Sequence, residues 1–194
     1  MSPLDLIKKL REISGAGVVD VKEALVEAGN DESKALDILR KKGQKIASKR
    51  QERATQQGVI ESYVHANGKI AALVAVACET DFVARNSDFK QFAHEVALQI
   101  AATAPQYVSP SDVPADVVAK EKEIYREQLK NEGKPAQIVE KILEGKLQKF
   151  YSEVCLLKQP YIKDDSKTIE QLLTELIAKI GENIRIEKFI YFTL

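Results

Sequence analysis

The sequence has no surplus of charge of either sign and no long apolar run. Lysine plus arginine and aspartate plus glutamate both number 29 in 194 residues, so the formal net charge is zero. A chain without net charge has no overall field that draws it to nucleic acid or to anionic membranes. No apolar stretch approaches the roughly 18 residues of a membrane span, and no export signal stands at the N-terminus. We therefore expect a soluble, cytoplasmic protein that recognises its partners locally.

Residues typical of metal sites and covalent catalysis are scarce. Cys78 and Cys155 each lie among apolar neighbours, which favours two buried thiols over a disulfide or a redox pair. His65 and His94 are far apart in the sequence and no C-x-x-C pair is present, so no metal site is expected. No nucleophile has a neighbouring base. We predict a protein that is not an enzyme and uses no cofactor.

A Gly-x-Gly pattern occurs in "SGAGVVD", at Gly15 and Gly17. A predicted helix precedes it where a phosphate-binding loop would have a strand, and no Lys-Ser/Thr follows. The pattern therefore indicates a tight turn between packed helices.

Residues 1–43 have the pattern of a three-helix bundle. Ser2-Pro3 suits the start of the first helix, the second begins near Val18, and Asp31 caps a third that we expect to end at Gly43. Such a bundle has a marginal core, which suits the presentation of a face better than a reaction. The apolar positions predicted to face inward are Leu6, Ile7, Leu10, Ile13, Val21, Leu25, Ala28, Ala35, Leu36 and Leu39.

Residues 44–57, "QKIASKRQERATQQ", are predicted to form a basic, partly helical linker. Its basic residues, with two that precede it, are Lys41, Lys42, Lys45, Lys49, Arg50 and Arg53. Such a run can bind RNA phosphates or an acidic protein surface, although it lacks interleaved aromatic residues. A solvated linker is the preferred interpretation.

Residues 58–194 are predicted to form an α+β core. Two β-rich runs flank Asn67-Gly68, the preferred pair for a type I′ hairpin. The run Ile70–Cys78 is almost continuously apolar, which predicts a central, covered strand. Residues 183–192 alternate as a last strand and are expected to complete a three-stranded antiparallel sheet with helices on one face.

Helical periodicity predicts four helices in this core. Gly133 and Pro135 separate the second helix from the third. Residues 164–166 indicate the start of the fourth helix, and Gly181 ends it. The four ranges are 87–103, 115–131, 136–151 and 168–180.

The stretch "ACETDFVARN" follows the predicted central strand and places Phe82 at the rim of the sheet. One interpretation makes Phe82 a hydrophobic plug between strand and helix, with Thr80 and Asp81 as capping residues. The other makes it an exposed anchor that enters a partner's pocket. Periodicity does not choose between them.

Two segments resemble the signature regions of elongation factor Ts, the nucleotide exchange factor for elongation factor Tu. They are "LREISGAGVVDVKEAL" at residues 10–25 and "ACETDFVARN". The blocks "GKPAQIVEKILEGKLQKF", "LLKQPYIKDDSKTIEQLL" and "IGENIRIEKF" are also similar to this family and occur in its order. The resemblance covers nearly the whole chain.

This resemblance implies an N-terminal bundle like a ubiquitin-associated domain and a core that is also used for dimerisation. It implies that the family's aromatic residue, here Phe82, pushes into the partner's nucleotide-binding domain, disturbs the segment that helps hold Mg²⁺, and releases GDP. Asp81 would hold the rim or bind partner backbone groups. By the same resemblance the motif comprises Thr80, Asp81, Phe82 and Val83, and the N-terminal contact face comprises Leu10, Arg11, Val18, Val19 and Lys22.

Two departures from the family pattern stand out. Val21 replaces a frequent Cys. The chain is also expected to have one core subdomain, without room for the second subdomain and the coiled-coil insertion of long family members. Short members imply that a homodimer supplies what the second subdomain supplies elsewhere.

The resemblance thus implies a translation elongation factor that binds elongation factor Tu in its GDP-bound and nucleotide-free forms, without nucleic acid or membrane. Two alternatives stay open: an RNA-binding module that uses the basic run, and a structural dimerisation protein without exchange activity.

Overall fold

The computed structural model describes residues 3–132 and 135–194, which form an α+β protein. Three helices come first, α1 (Pro3–Ser14), α2 (Val18–Glu27) and α3 (Glu32–Arg50). The Asp31 carboxylate accepts a hydrogen bond from the Lys34 amide at 3.0 Å, which confirms the predicted cap of α3. Ser2 lies outside the described residues. The buried core of the bundle consists of Leu10, Val21, Ala24, Leu25, Ala28, Ala35 and Leu39.

The predicted end of α3 at Gly43 is wrong, because the helix continues to Arg50. A glycine inside a helix costs about 1 kcal/mol relative to alanine. The helix packs at this point on the segment that contains Ala178, since a Cβ at Gly43 would lie 3.4 Å from the Cβ of Ala178, an ordinary van der Waals distance. One turn later, Ala47 is buried in the core of the main domain. The first half of the predicted linker is therefore a packed helix.

Five strands follow, β1 (Gln57–Val64), β2 (Ile70–Cys78), β3 (Pro160–Tyr161), β4 (Asp164–Thr168) and β5 (Ile184–Thr193). The predicted three-stranded antiparallel sheet is confirmed, with β2 between β1 and β5. The strands β3 and β4 form a separate antiparallel ribbon that periodicity did not predict. Residues 164–166 accordingly belong to a strand, and the helix that follows is capped by Thr168.

The hairpin around Asn67-Gly68 is present, but its turn is not type I′. A type I′ turn needs positive φ at both central residues. Gly68 has φ 67°, whereas Asn67 has negative φ, and the Gly68 amide donates to the His65 carbonyl at 2.8 Å. The Asn67 side chain instead accepts a hydrogen bond from the Lys69 amide at 2.9 Å, which stabilises this longer connection.

Five further helices complete the chain, α4 (Asp81–Arg85), α5 (Ser87–Thr103), α6 (Ala115–Asn131), α7 (Ala136–Val154) and α8 (Ile169–Ile180). The predicted helices of the core are confirmed to within a few residues. Gly181, with φ 84°, ends α8 as expected, while Gly133 lies outside the described residues. No helix in residues 3–132 and 135–194 is long and apolar enough to cross a bilayer.

One face of the sheet carries the main hydrophobic core. The inward side chains of β2 pack against α5 and α8, and Phe89, Val96 and Ile100 of α5 are fully or almost fully buried. The opposite face of β2 is only partly buried, with Leu73 38% exposed, so the prediction of a covered central strand is correct for one face and wrong for the other. Apolar side chains on that open face come from all three strands and include Ile60, Val64, Leu73, Ile190 and Phe192.

The helices α6 and α7 form an antiparallel helical hairpin. Leu129, Leu143 and Leu147 are buried in it, and Arg126 forms an ion pair with Glu140 at 3.2 Å. The hairpin stands in the sequence between the first two strands of the sheet and the last one. These are the two helices that the sequence predicted at 115–131 and 136–151.

Candidate partner-binding site

Phe82 lies on α4, a helix of five residues at the end of the central strand. Its side chain is 80% exposed, whereas that of Val83 is only 9% exposed and belongs to the main core. Val83 is thus the plug between strand and helix, and the interpretation of Phe82 as a plug is wrong. An exposed phenyl ring on an otherwise packed segment is the feature expected of an anchor.

The turn that carries Phe82 is held by hydrogen bonds from a distant segment. The Thr80 hydroxyl donates to Glu182 Oε1 at 2.7 Å, and the Thr80 amide donates to Glu182 Oε2 at 3.0 Å. The same hydroxyl oxygen accepts from the Val83 amide at 3.4 Å, so Thr80 caps α4. The prediction that Thr80 is a capping residue is confirmed.

Both ends of α4 are defined by polar contacts. Asp81 in its first turn forms an ion pair with Arg85 in its last turn at 2.9 Å. The Asn86 side chain then accepts hydrogen bonds from the Asp88 amide at 2.7 Å and the Phe89 amide at 3.3 Å, which caps α5. The Asp81 contact lies within α4 itself and is solvent-exposed.

Cys78 supports the turn from beneath. Its thiol is buried and lies 3.2 Å from the Thr80 carbonyl oxygen, to which it donates. Burial, assisted by the negative charge of Glu182, raises the pKa of the Cys78 thiol to about 11. Burial likewise raises the pKa of Cys155 to about 11. Both cysteines are free, which confirms the prediction of two buried thiols.

The predicted N-terminal contact residues divide into two groups. Val18 and Val19 begin α2 with exposed side chains, and Arg11 and Lys22 are exposed nearby in the sequence. Leu10 is completely buried in the bundle. It therefore supports the face from inside, and its assignment to the contacting surface is corrected.

Two residues of the rim escaped the sequence analysis, Glu182 and Asn183, and so did the partners of Glu79, whose place after the central strand was predicted. Glu79 Oε1 accepts from the Asn183 amide at 2.6 Å, and Glu79 Oε2 lies 3.4 Å from Arg53. Glu182 and Asn183 stand more than 100 positions from the strand end that they contact. The only local signal was a polar pair after the helix-ending Gly181.

The basic run is partly neutralised within the molecule. Lys42 pairs with Asp20 at 2.6 Å and with Glu23 at 2.9 Å, and these carboxylates raise its pKa. Three other members, Lys41, Lys45 and Lys49, are exposed and repeat every four residues along α3. The run is therefore a stripe of three lysines on one helix face, without aromatic side chains between them.

A cavity of about 670 Å³ lies away from Phe82, between the N-terminal bundle, α7 and α8. Four of the charged side chains that line it form two ion pairs, Lys158 with Glu170 at 2.6 Å and Lys167 with Glu175 at 2.9 Å.

Comparison with known proteins gives a match over nearly the whole chain. The model of the family described as "Elongation factor TS" matches residues 6–187. The chain belongs to the elongation factor Ts family. Elongation factor Ts of Thermotoga petrophila is 56% identical over 186 residues, which cover 96% of this chain and 92% of that protein.

Two further members of the elongation factor Ts family have similar lengths of match. Elongation factor Ts of Carboxydothermus hydrogenoformans is 54% identical over 97% of this chain and 87% of its own length. Elongation factor Ts of Coprothermobacter proteolyticus is 54% identical over 97% of this chain and 96% of its own length. Family membership supports a role in the elongation stage of protein biosynthesis.

Proposed function

We propose that the chain is a cytoplasmic guanine nucleotide exchange factor that binds elongation factor Tu and promotes release of its GDP. The observation that carries this proposal is the exposure of Phe82 on a turn whose backbone is fixed by partly buried hydrogen bonds. Phe82 enters the nucleotide-binding domain of elongation factor Tu and displaces the segment that holds Mg²⁺. Thr80, Asp81 and Val83 set the position of the ring.

Exchange of this kind needs no covalent chemistry. The factor binds the partner more tightly when nucleotide and Mg²⁺ are loosened, so its binding and that of GDP are negatively coupled. Such coupling is reciprocal: the factor weakens GDP binding by the same factor by which GDP weakens binding of the factor. The chain therefore binds both the GDP-bound and the nucleotide-free partner, and the nucleotide-free partner more tightly.

The size of the effect requires a second contact. Burial of one Phe side chain contributes about 1.5 to 3 kcal/mol, which corresponds to roughly 10 to 100-fold in an equilibrium constant. The N-terminal bundle, in our proposal a ubiquitin-associated type of domain, supplies further affinity. Its contacting residues are Arg11, Val18, Val19 and Lys22, and Leu10 holds them from inside the bundle.

The open face of the sheet supports a homodimer. Along it, Val64, Ala71 and Phe192 form one row across the three strands, and the next row consists of Ser62, Leu73 and Ile190. An exposed apolar patch of this kind favours association, and two such faces pack as a sheet-on-sheet sandwich. A twofold axis places this face of one copy against the same face of a second copy, so the face is complementary to itself.

The proposal is tested by the release rate of a fluorescent GDP analogue from elongation factor Tu of the same species, with and without this protein. We expect acceleration that increases with protein concentration and saturates. An unchanged release rate with a folded, binding protein would contradict exchange activity. Pull-down of elongation factor Tu with and without GDP separates an exchange factor, whose binding GDP weakens, from a structural dimerisation protein.

A further inference from the structure

The geometry points to Glu182 as a positioning residue for the Phe82 anchor: we propose that its carboxylate sets the direction in which the exposed ring meets the partner. This inference rests on the proposed function and deepens it.

Phe82 has little packing of its own to hold it. Its ring is 80% exposed, and α4 has five residues, far fewer than a helix needs for stability by itself. The direction of the ring is therefore determined by the backbone of the turn. Within that turn, the Val83 side chain is buried in the main core and Thr80 caps the helix.

Glu182 controls the cap through both oxygens of its carboxylate. One oxygen receives the Thr80 amide hydrogen at 3.0 Å and the other receives the hydroxyl hydrogen at 2.7 Å. Because the hydroxyl proton is directed at Glu182, the lone pairs of the same oxygen remain for the Val83 amide. Removal of Glu182 would leave the hydroxyl free to rotate and the Thr80 amide without its charged acceptor.

The backbone next to Glu182 is held in place by the following residue, Asn183, which is 1% exposed. The Asn183 side chain donates to the carbonyl oxygens of Arg53 at 2.7 Å and Gln51 at 3.3 Å. The Asn183 backbone N–H donates to Glu79 Oε1 at 2.6 Å. The turn between α8 and β5 is thus fixed to the end of α3 and to the end of β2.

These contacts join the two surfaces of the proposed function. Gln51 directly follows α3, the last helix of the N-terminal bundle, and Glu79 directly precedes the turn that carries Phe82. The segment Gly181–Asn183 lies between them and contacts both. Glu182 is the member of this segment that reaches the Phe82 turn.

The test uses the full-length protein with Glu182→Ala and Glu182→Gln. The control is Glu187→Gln, an exposed glutamate five positions further on, whose contacts are with Thr55 at 3.5 Å and Arg185 at 3.8 Å. Each variant is measured for melting temperature and for release of a fluorescent GDP analogue from elongation factor Tu. We expect a loss of exchange of about tenfold for Glu182→Ala, a smaller loss for Glu182→Gln, and no loss for the control.

A double-mutant cycle with Phe82→Ala distinguishes positioning from a separate contact. If Glu182 acts through the ring, Glu182→Ala changes exchange by less than about twofold once the ring is absent. An equal fold loss in both backgrounds would overturn the inference.

A second readout does not depend on exchange. The chain contains no tryptophan, so Phe82→Trp introduces a unique fluorophore at the rim. Its anisotropy is expected to fall when Glu182→Ala is added and to stay unchanged with Glu187→Gln. Unchanged anisotropy in the folded Glu182→Ala variant would overturn the inference. If wild-type protein fails to accelerate GDP release, the proposed function fails, while the anisotropy still decides whether Glu182 positions this turn.

Discussion

Two exposed phenylalanines, Phe82 and Phe192, lie at opposite ends of the central strand in different surroundings. Phe82 follows the strand's last residue and is bordered by the Asp81–Arg85 ion pair. Phe192 is paired in register with Ala71 near the strand's start and belongs to a continuous apolar face. A single ring in a polar frame suits a reversible contact, whereas a broad apolar face suits a permanent one. The two ends of one strand therefore point to two kinds of partner.

The largest effect is expected at the open face. Phe192→Asp removes one buried phenyl ring from each copy of the proposed dimer, at about 1.5 to 3 kcal/mol per ring. The dimer dissociation constant should rise at least about a hundredfold, measured by sedimentation at several concentrations. Phe82→Asp is the matched control, because it places the same charge at an even more exposed phenylalanine and should leave the oligomeric state unchanged. Loss of the dimer in the control as well would remove the proposed distinction between the two ends.

The second-largest effect is expected at the rim, on substitution of Phe82. Phe82→Ala should slow the exchange reaction by roughly 10 to 100-fold, because the partner loses the burial of one aromatic side chain. The melting temperature should be nearly unchanged, since the ring is already exposed. Stopped-flow release of labelled GDP and a thermal melt provide the two readouts.

Val83→Ala is the matched comparison, because the adjacent side chain belongs to the core. It should lower the free energy of unfolding by about 1 to 3 kcal/mol. A large thermal destabilisation by Phe82→Ala would mean that the ring packs in solution against the protein itself.

A smaller effect is expected at the N-terminal bundle. Val19 is 67% exposed, so Val19→Asp should not disturb folding. It should weaken the complex with elongation factor Tu by up to about tenfold, because it removes part of one apolar contact and adds a charge to desolvate. Titration calorimetry with the nucleotide-free partner measures this change, and an unchanged affinity would count against the N-terminal face.

Substitution on the surface is preferable to deletion of residues 1–43, because α3 runs through that boundary. A cut at Gly43 would divide the helix just before Ala47, which is buried in the main core. The resulting loss of binding would then combine lost contacts with lost stability.

Local patterns predicted most of the fold, and long-range contacts account for what they missed. The range Ser87–Thr103 followed from its apolar period alone, because a helix over a sheet must bury one stripe. The continuation of α3 past Gly43 did not follow from a local pattern, since it depends on packing against Ala178. Local propensity carries no information about a partner that lies more than 130 residues away.

The candidate site follows the same division. Thr80 was recognisable as a cap from its position before a short polar and apolar run. The sequence did not show that Phe82 is exposed and Val83 buried, because both side chains are apolar and adjacent. Glu182 and Asn183 reach the rim only through the return of the chain in β5, which no local period encodes.

The smallest effect is expected at the lysine stripe on α3. The combined substitution of Lys41, Lys45 and Lys49 by Gln should change the exchange rate by less than about twofold at about 0.15 M salt, because exposed charges are screened there and contribute little. The experiment also addresses the RNA-binding alternative. A gel-shift assay across salt concentrations would give a steep slope if the stripe bound phosphates, and the triple substitution would reduce that slope by up to about three. A steep slope that depends on the lysines would identify a third binding surface, in addition to the rim with Phe82 and the open face of the sheet.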